Sequence, residues 1–204
     1  MQGKPLFVTG IGTGIGKTVV SAILVEHLKA DYWKPIQSGD LDDSDTKKVK
    51  SLVTNSVSVF HPEAYTLTQP YSPHKSAALD GISIDERQII LPQTDNHLII
   101  EGAGGLMVPL NNHFLMIDLI KQLGAEVILV SQNYLGSINH TLLSIDTLKQ
   151  RNIPVKGIIF NGDTDSYSED YILSYAAVKL LGRIPMLTDI SKNEVAKIAG
   201  NISL

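Results

Sequence analysis

The stretch FVTGIGTGIGKTVVSAIL, Phe7 to Leu24, constrains the chain more than any other: an apolar run breaks into glycines at alternate positions, meets Lys-Thr and turns apolar again. Leu6–Val8 reads as a strand and Val19–Leu28 as a helix. The glycines between them let the backbone take positive φ and approach a ligand closely. Successive N–H groups and the helix N-terminus then face an anion, here a polyphosphate. Gly12, Thr13, Gly14, Ile15, Gly16, Lys17, Thr18 and Val19 form the expected cradle. Lys17 would reach the β/γ-phosphates and the Thr18 hydroxyl would ligate Mg²⁺. The strict pattern G-x-x-x-x-G-K-[ST] asks for glycine at Ile11, whereas Gly10 lies one residue further out. An overlapping GxGxxG is not satisfied, because Ile15 stands where its third glycine belongs. A flexible turn with an incidental Lys-Thr is the bland alternative. The order strand, glycines, Gly-Lys-Thr, apolar helix argues against it.

The same alternation of elements continues down the chain. Leu98–Ile100, Val127–Val130 and Ile158–Phe160 are short continuous apolar runs ending in polar residues or glycine, the pattern of strands covered on both faces. Helical stripes lie between them: Val19, Val20, Ile23, Leu24 and Leu28; Leu115, Met116, Leu119, Ile120 and Leu123; Ile138, Leu142, Ile145 and Leu148. The expected fold is α/β, a doubly wound, mostly parallel sheet flanked by helices, of the P-loop NTPase type. Ligands then gather at the carboxyl ends of the strands. Asp40–Pro92 is more polar, with helices expected around Ser44–Leu52 and Asp85–Leu91, and reads as a long excursion over the sheet's edge.

Bulk properties narrow the function classes. The chain's 204 residues suffice for one α/β domain, and no linker or repeat divides them, so a single domain over 1–204 is expected. A net charge of −4 with interspersed signs gives no global reason to seek nucleic acid or an anionic membrane. No stretch has transmembrane length, and no signal-peptide pattern occurs at Met1 to Leu6. Cysteine is absent, which excludes disulfides and thiolate metal sites and fits a cytoplasmic location. The six histidines, His27, His61, His74, His97, His113 and His140, show no metal-ligand spacing.

Several polar residues sit at strand ends. Glu101 closes a buried apolar run, where an isolated carboxylate is costly unless paired or metal-bound. Mg²⁺ is one partner beside a phosphate loop; neighbouring backbone N–H groups are the other. Gly102, Ala103 and Gly104 after it leave room for phosphates. Asp45 belongs to the acidic run Asp40–Asp45, which reads equally as a solvated helix start. Lys34 ends a strand before a proline that holds the chain extended. Gly136, Ser137, Ile138 and Asn139 open a helix whose free N–H groups form an anion site or an ordinary serine-capped start. Asn161, with Gly162 after it, follows a strand, where its amide could read an adenine edge.

Trp33-Lys34-Pro35-Ile36-Gln37-Ser38-Gly39, Glu101-Gly102-Ala103-Gly104-Gly105 and Leu135-Gly136-Ser137-Ile138-Asn139-His140, with the longer loop Gly10–Thr18, together resemble the dethiobiotin synthetases. The match runs in order over nearly the whole chain and thins in Asp40–Tyr65 and after Leu187. The resemblance implies a homodimer and an ATP- and Mg²⁺-dependent closure of 7,8-diaminopelargonate and CO2 to dethiobiotin, ADP and phosphate. It implies Thr18, Asp45 and Glu101 as Mg²⁺ ligands, with Asp43 the competitor of Asp45. Lys34 would hold carbamate and phosphate oxygens, and Thr13 would touch both the γ-phosphate and the amine side. Ser38 would contact substrate. The Gly136–Asn139 helix start of a partner subunit would take the substrate's carboxylate near the interface, with Tyr171, or else Tyr167 or Tyr175, as its companion. Pro185, Met186 and Leu187 would close over the base. Tyr71-Ser72-Pro73-His74 resembles a segment lining the substrate channel. Replacing Lys17 or Lys34 by alanine is expected to depress turnover by orders of magnitude while leaving the fold nearly intact.

Two other classes compete. A P-loop amidotransferase domain usually carries a glutaminase domain with a cysteine nucleophile, which this chain lacks. A partitioning-type ATPase carries an additional lysine early in its phosphate loop, and Ile11 to Ile15 contain none.

Overall fold

The computed structural model describes residues 3–187 and 189–204, and each apolar run read as a strand is one. In chain order the elements are β1 (Leu6–Gly10), α1 (Lys17–Leu28), β2 (Asp31–Trp33), β3 (Ile36–Ser38), α2 (Asp45–Leu52), β4 (Phe60–His61), β5 (Tyr65–Leu67), α3 (Pro73–Leu79) and β6 (Leu98–Gly105). There follow α4 (Met116–Gln122), β7 (Glu126–Ser131), α5 (Ser137–Gln150), β8 (Val155–Asn161), α6 (Ser166–Ala176), β9 (Leu180–Ile184) and α7 (Lys192–Ala199). Seven strands pair in the order β4-β2-β6-β1-β7-β8-β9, and every pairing is parallel. β3 and β5 form a separate parallel pair.

The continuous apolarity of the strands has the expected cause. Side chains alternate between faces, and both faces are covered. Phe7, Ile100, Val127, Leu129 and Ile158 pack with α4, α5 and α6. Leu6, Val8, Ile99, Ile128 and Ile159 pack with α1, α2 and α7. The chain leaves β1 toward β2 and β4, returns as β6 to β1's flank, then builds outward through β7 on the other side. β1 therefore stands at a topological switch point, and a crevice opens beyond its carboxyl end.

Two details depart from expectation. Asp85–Leu91 is not an α-helix; Glu86–Gln88 makes one 3₁₀ turn, capped by the Asp85 side chain accepting from the Arg87 N–H at 3.0 Å. Ile89 and Ile90 follow, and Pro92 disfavours helix at Leu91. The excursion from Asp40 to Pro92 also does more than cross the edge. It supplies β4, the edge strand beside β2, and β5, the partner of β3.

Candidate active site

β1 ends at Gly10, where a Cβ would overlap the Ile15 side chain. The loop is folded over a buried isoleucine, and the glycine one position early makes room for it. At Gly16, φ is +89°, and a Cβ would overlap the Asn161 amide. No other residue fits between α1 and the end of β8. Asn161 donates to the Ile15 carbonyl at 3.0 Å, pinning the loop from the neighbouring strand end. Lys17 folds back and donates to the Gly12 carbonyl at 2.9 Å. Burial pushes the Lys17 ammonium down to about 8, against the opposing pull of the Glu101 charge.

Beside this loop lies a cleft of about 660 Å³. Thr13, Gly14, Gly16, Lys17, Thr18, Val19, Lys34, Ser38, Asp45, Glu101, Gly102, Ala103 and Gly104 line it, whereas Gly12 lines a neighbouring groove and Ile15 is buried beneath the loop. Its centre is a compact polar junction. Thr18 Oγ1 stands 3.0 Å from Asp45 Oδ1 and 3.0 Å from Glu101 Oε1. Lys34 Nζ lies 2.6 Å from Asp45 Oδ2 and 3.2 Å from Glu101 Oε1. Glu101 is 1% exposed and Lys34 4% exposed. Burial alone would lower the Lys34 pKa, but the carboxylates of Glu101 and Asp45 prevail and hold it above the usual lysine value. Burial would likewise raise Asp45; Lys34 and the Thr18 hydroxyl keep it below the usual carboxylate range.

Asp43 is not the acidic partner. It lies in a 3₁₀ turn ahead of α2 and pairs with Lys48 at 3.3 Å, while Asp45 begins the helix and faces Thr18 and Lys34.

The donor set fits Mg²⁺. The Thr18 hydroxyl has one proton for two carboxylate oxygens at equal distance, so one of those approaches lacks a full hydrogen bond. A hard cation taking oxygen ligands would relieve it. Among the described residues no group of three or more His, Asp and Glu could hold a metal alone. Two carboxylates and a hydroxyl are a partial set, of the kind Mg²⁺ completes with phosphate oxygens and water.

Two residues of the junction escaped the sequence reading. Tyr32 donates to Glu101 Oε2 at 3.0 Å. Gln37 accepts from the Asp45 backbone N–H at 3.3 Å and donates to the Gly39 carbonyl at 2.9 Å, fixing the start of α2 against β3. Tyr71, Ser72 and Pro73 also line the cleft, whereas His74 faces a separate cavity of about 790 Å³ toward residues 82–87.

Other expected residues lie elsewhere. Asn161 ends β8 and Gly162 follows it, donating its N–H to the Ile184 carbonyl at 2.8 Å, which sets Pro185, Met186 and Leu187 beside them. Gly136, Ser137, Ile138, Asn139 and Tyr171 do not line the cleft. The α5 cap is Gly136, with φ +103°, rather than a serine; the Ser137 hydroxyl accepts from the Tyr134 N–H at 3.3 Å. Tyr171 stacks on Tyr175 with centroids 5.7 Å apart.

Comparisons with known proteins bear on the family and the fold. A family model described as an AAA domain matches residues 4–194. The ATP-dependent dethiobiotin synthetase BioD of Christiangramia forsetii is 57% identical over 181 residues, 89% of this chain and 87% of the relative. That of Cytophaga hutchinsonii is 50% identical over 197 residues, 96% of this chain and 95% of the relative. Among solved structures, a ParA family ATPase from Chlorobium tepidum aligns with a TM-score of 0.61 at 15% identity, covering 97% of each chain. The cell division ATPase MinD of Pyrococcus furiosus aligns at 0.59 and 13% identity, covering 98% of each. Those two likenesses concern the parallel, helix-flanked P-loop fold alone. The sequence relatives are close and nearly full-length, and the chain belongs to the family of ATP-dependent dethiobiotin synthetases.

Proposed function

We propose that the whole chain acts as one ATP- and Mg²⁺-dependent dethiobiotin synthetase domain, carboxylating 7,8-diaminopelargonate with CO2 and closing the ring, with ADP and phosphate released, as a step of biotin biosynthesis in the cytoplasm. The observation that carries this reading is the junction of Lys34, Glu101, Asp45 and Thr18 beside the phosphate loop. It offers a buried cation and a place for a second one next to the seat of a triphosphate, with no protein nucleophile.

That is what the reaction requires. One amine adds to CO2 and loses a proton, giving a carbamate whose carbon is a poor electrophile. A carbamate oxygen attacks the γ-phosphorus, and the bond to the bridging oxygen breaks with its electrons leaving on ADP. The mixed anhydride now carries phosphate as its leaving group. The second amine attacks the carbonyl carbon, its proton passes to solvent, and phosphate departs with the bonding pair. Such a transfer needs positioning and charge neutralisation. Lys17 and the loop N–H groups hold the phosphates, and Lys34 balances the carbamate and phosphoryl oxygens. Ser38 lines the cleft, and its hydroxyl, buried and without a hydrogen-bond partner among the described residues, would turn outward to meet substrate. Mg²⁺ held by Thr18, Asp45 and Glu101 would supply neutralisation of phosphate charge. Asn161, Gly162 and Pro185–Leu187 would take the adenine in this reading.

The Gly136–Asn139 helix start and Tyr171 serve, in this reading, a second subunit's cleft. Met107 and Leu143 are exposed at a groove of about 440 Å³ between α5 and the loop, and Leu135 is fully exposed nearby, surface that a second copy would cover. Incubation with diaminopelargonate, labelled bicarbonate, Mg²⁺ and ATP tests the reaction. Label should enter a cyclic urea in step with ADP. ATP consumption that responds to DNA or lipid, and not to the diamine, would overturn it in favour of a partitioning-type ATPase.

A further inference from the structure

We infer that Tyr32 is a positioning residue: its hydroxyl fixes the orientation in which the Glu101 carboxylate is presented to a nucleotide-bound metal. The inference deepens the reading above and rests on it.

The placement follows from register. Tyr32 pairs with Ile99 across the parallel β2–β6 ladder. Side chains repeat every two residues, so Glu101 lies on the same face as Ile99 and one step further along. Tyr32 is 0% exposed, its ring tilted against Phe60 with centroids 6.0 Å apart. Phenylalanine would fill that space without a buried hydroxyl to satisfy. The hydroxyl has a partner, Glu101 Oε2, at 3.0 Å. Thr18 and Lys34 both approach the other oxygen, Oε1.

The two oxygens of Glu101 are thereby assigned different work. A free carboxylate exchanges its oxygens by rotation about its terminal torsion, which is soft. Tyr32 opposes that rotation by holding Oε2 in the core, leaving Oε1 turned to the cleft. Thr18 and Lys34 cannot set the orientation alone, because each divides its contacts between Glu101 and Asp45. Partners that orient a metal-ligating side chain typically change metal affinity by 10–100-fold when removed.

The test is Y32F, which deletes one oxygen atom and keeps the ring. Mn²⁺ binding is followed by paramagnetic resonance with a non-hydrolysable ATP analogue bound, and affinity for the analogue alone is measured in EDTA. Expected are about tenfold weaker Mn²⁺ binding, unchanged metal-free analogue affinity and an unchanged circular-dichroism spectrum. In the reaction, half-saturating Mg²⁺ should rise while turnover at saturating Mg²⁺ recovers. Equal Mn²⁺ affinity in Y32F and wild type would overturn the inference. So would a parallel loss of metal-free analogue binding, the mark of general damage. A wild-type chain that binds the analogue but takes up no Mn²⁺ would overturn the nucleotide–metal reading itself, a result distinguishable from the other two.

Discussion

Lys34 joins stability to chemistry in one side chain. Taking an ammonium and two carboxylates out of water is costly, and the arrangement holds because each charge has its counterpart within 2.6 to 3.2 Å. The sequence suggests that replacing Lys34 would spare the fold; its burial says otherwise. Lys34→Ala would leave Glu101 and Asp45 facing each other without a cation, at a cost of about 3–5 kcal/mol. Turnover should fall by roughly 10²-fold or more. Because a divalent cation can take the lysine's place between the carboxylates, MgCl2 should raise the melting temperature of K34A more than that of the wild type. Equal shifts would show that the carboxylates do not form a cation site. Glu101→Gln removes one ionised oxygen from the same set, and its half-saturating Mg²⁺ should rise at least about tenfold; an unchanged titration would make Glu101 merely structural. Lys17 and Thr18 were legible in the sequence because they follow Gly16 at the start of α1, Glu101 because it closes an apolar run before glycines, and Lys34 through the family resemblance of its Lys-Pro pair. Tyr32 and Gln37 were not. Their polar groups gain meaning only in the folded chain, when β2 is laid against β6 and the start of α2 against β3.

β2 has three residues, yet it carries Tyr32 and delivers Lys34, so what fastens it matters. Its anchor at the opposite end from the cleft is Asp31. That carboxylate accepts from the Val59 N–H at 2.9 Å, the Thr94 hydroxyl at 2.7 Å and the Asn96 amide at 3.2 Å, with the His61 ring at 3.2 Å. Burial acts to raise its pKa, but these partners, Thr94 and Val59 foremost, hold it below the usual aspartate value. A carboxyl with a depressed folded pKa stabilises the native state above its unfolded pKa of about 3.9. That stability is lost as pH falls through the lower folded value. Asp31→Asn should therefore cost about 2 kcal/mol at neutral pH and flatten the decline of the urea midpoint below about pH 4. A parallel decline in both proteins would show that Asp31 contributes nothing through its charge. The same edge shows where patterns mislead. β4 has only two residues, too few for any alternation to announce a strand. Asp85–Leu91 carries a good cap and an apolar spacing, yet its β-branched pair and the following proline stop propagation after one turn.

At the scale of the molecule, the cleft is well furnished at one end and bare at the other. Lys17, Lys34, Thr18, Asp45 and Glu101 gather where phosphates and a carbamate belong. The residues expected to hold the far carboxylate of a long diamino acid, from Gly136 to Asn139 with Tyr171, do not line the cleft of their own chain. A diamino acid spanning the cleft would leave its carboxylate unmet unless a second chain brings its own α5 start alongside. The surface is suited to this, since Leu143 projects from α5 at the groove whose far wall includes Met107 and the phosphate loop itself. Burying both in a symmetric contact would remove apolar surface from water and so favour association. Leu143→Asp would instead place a charge in that contact. The expected result is a monomer by sedimentation, with metal-free nucleotide affinity retained and the KM for diaminopelargonate raised at least about tenfold, the loss expected for one charge-assisted hydrogen-bonding partner of a carboxylate. A monomeric L143D with an unaltered KM would show that one chain completes the site alone. In the reading proposed above, the nucleotide end of the cleft answers to a single fold and the substrate end to the pairing of two.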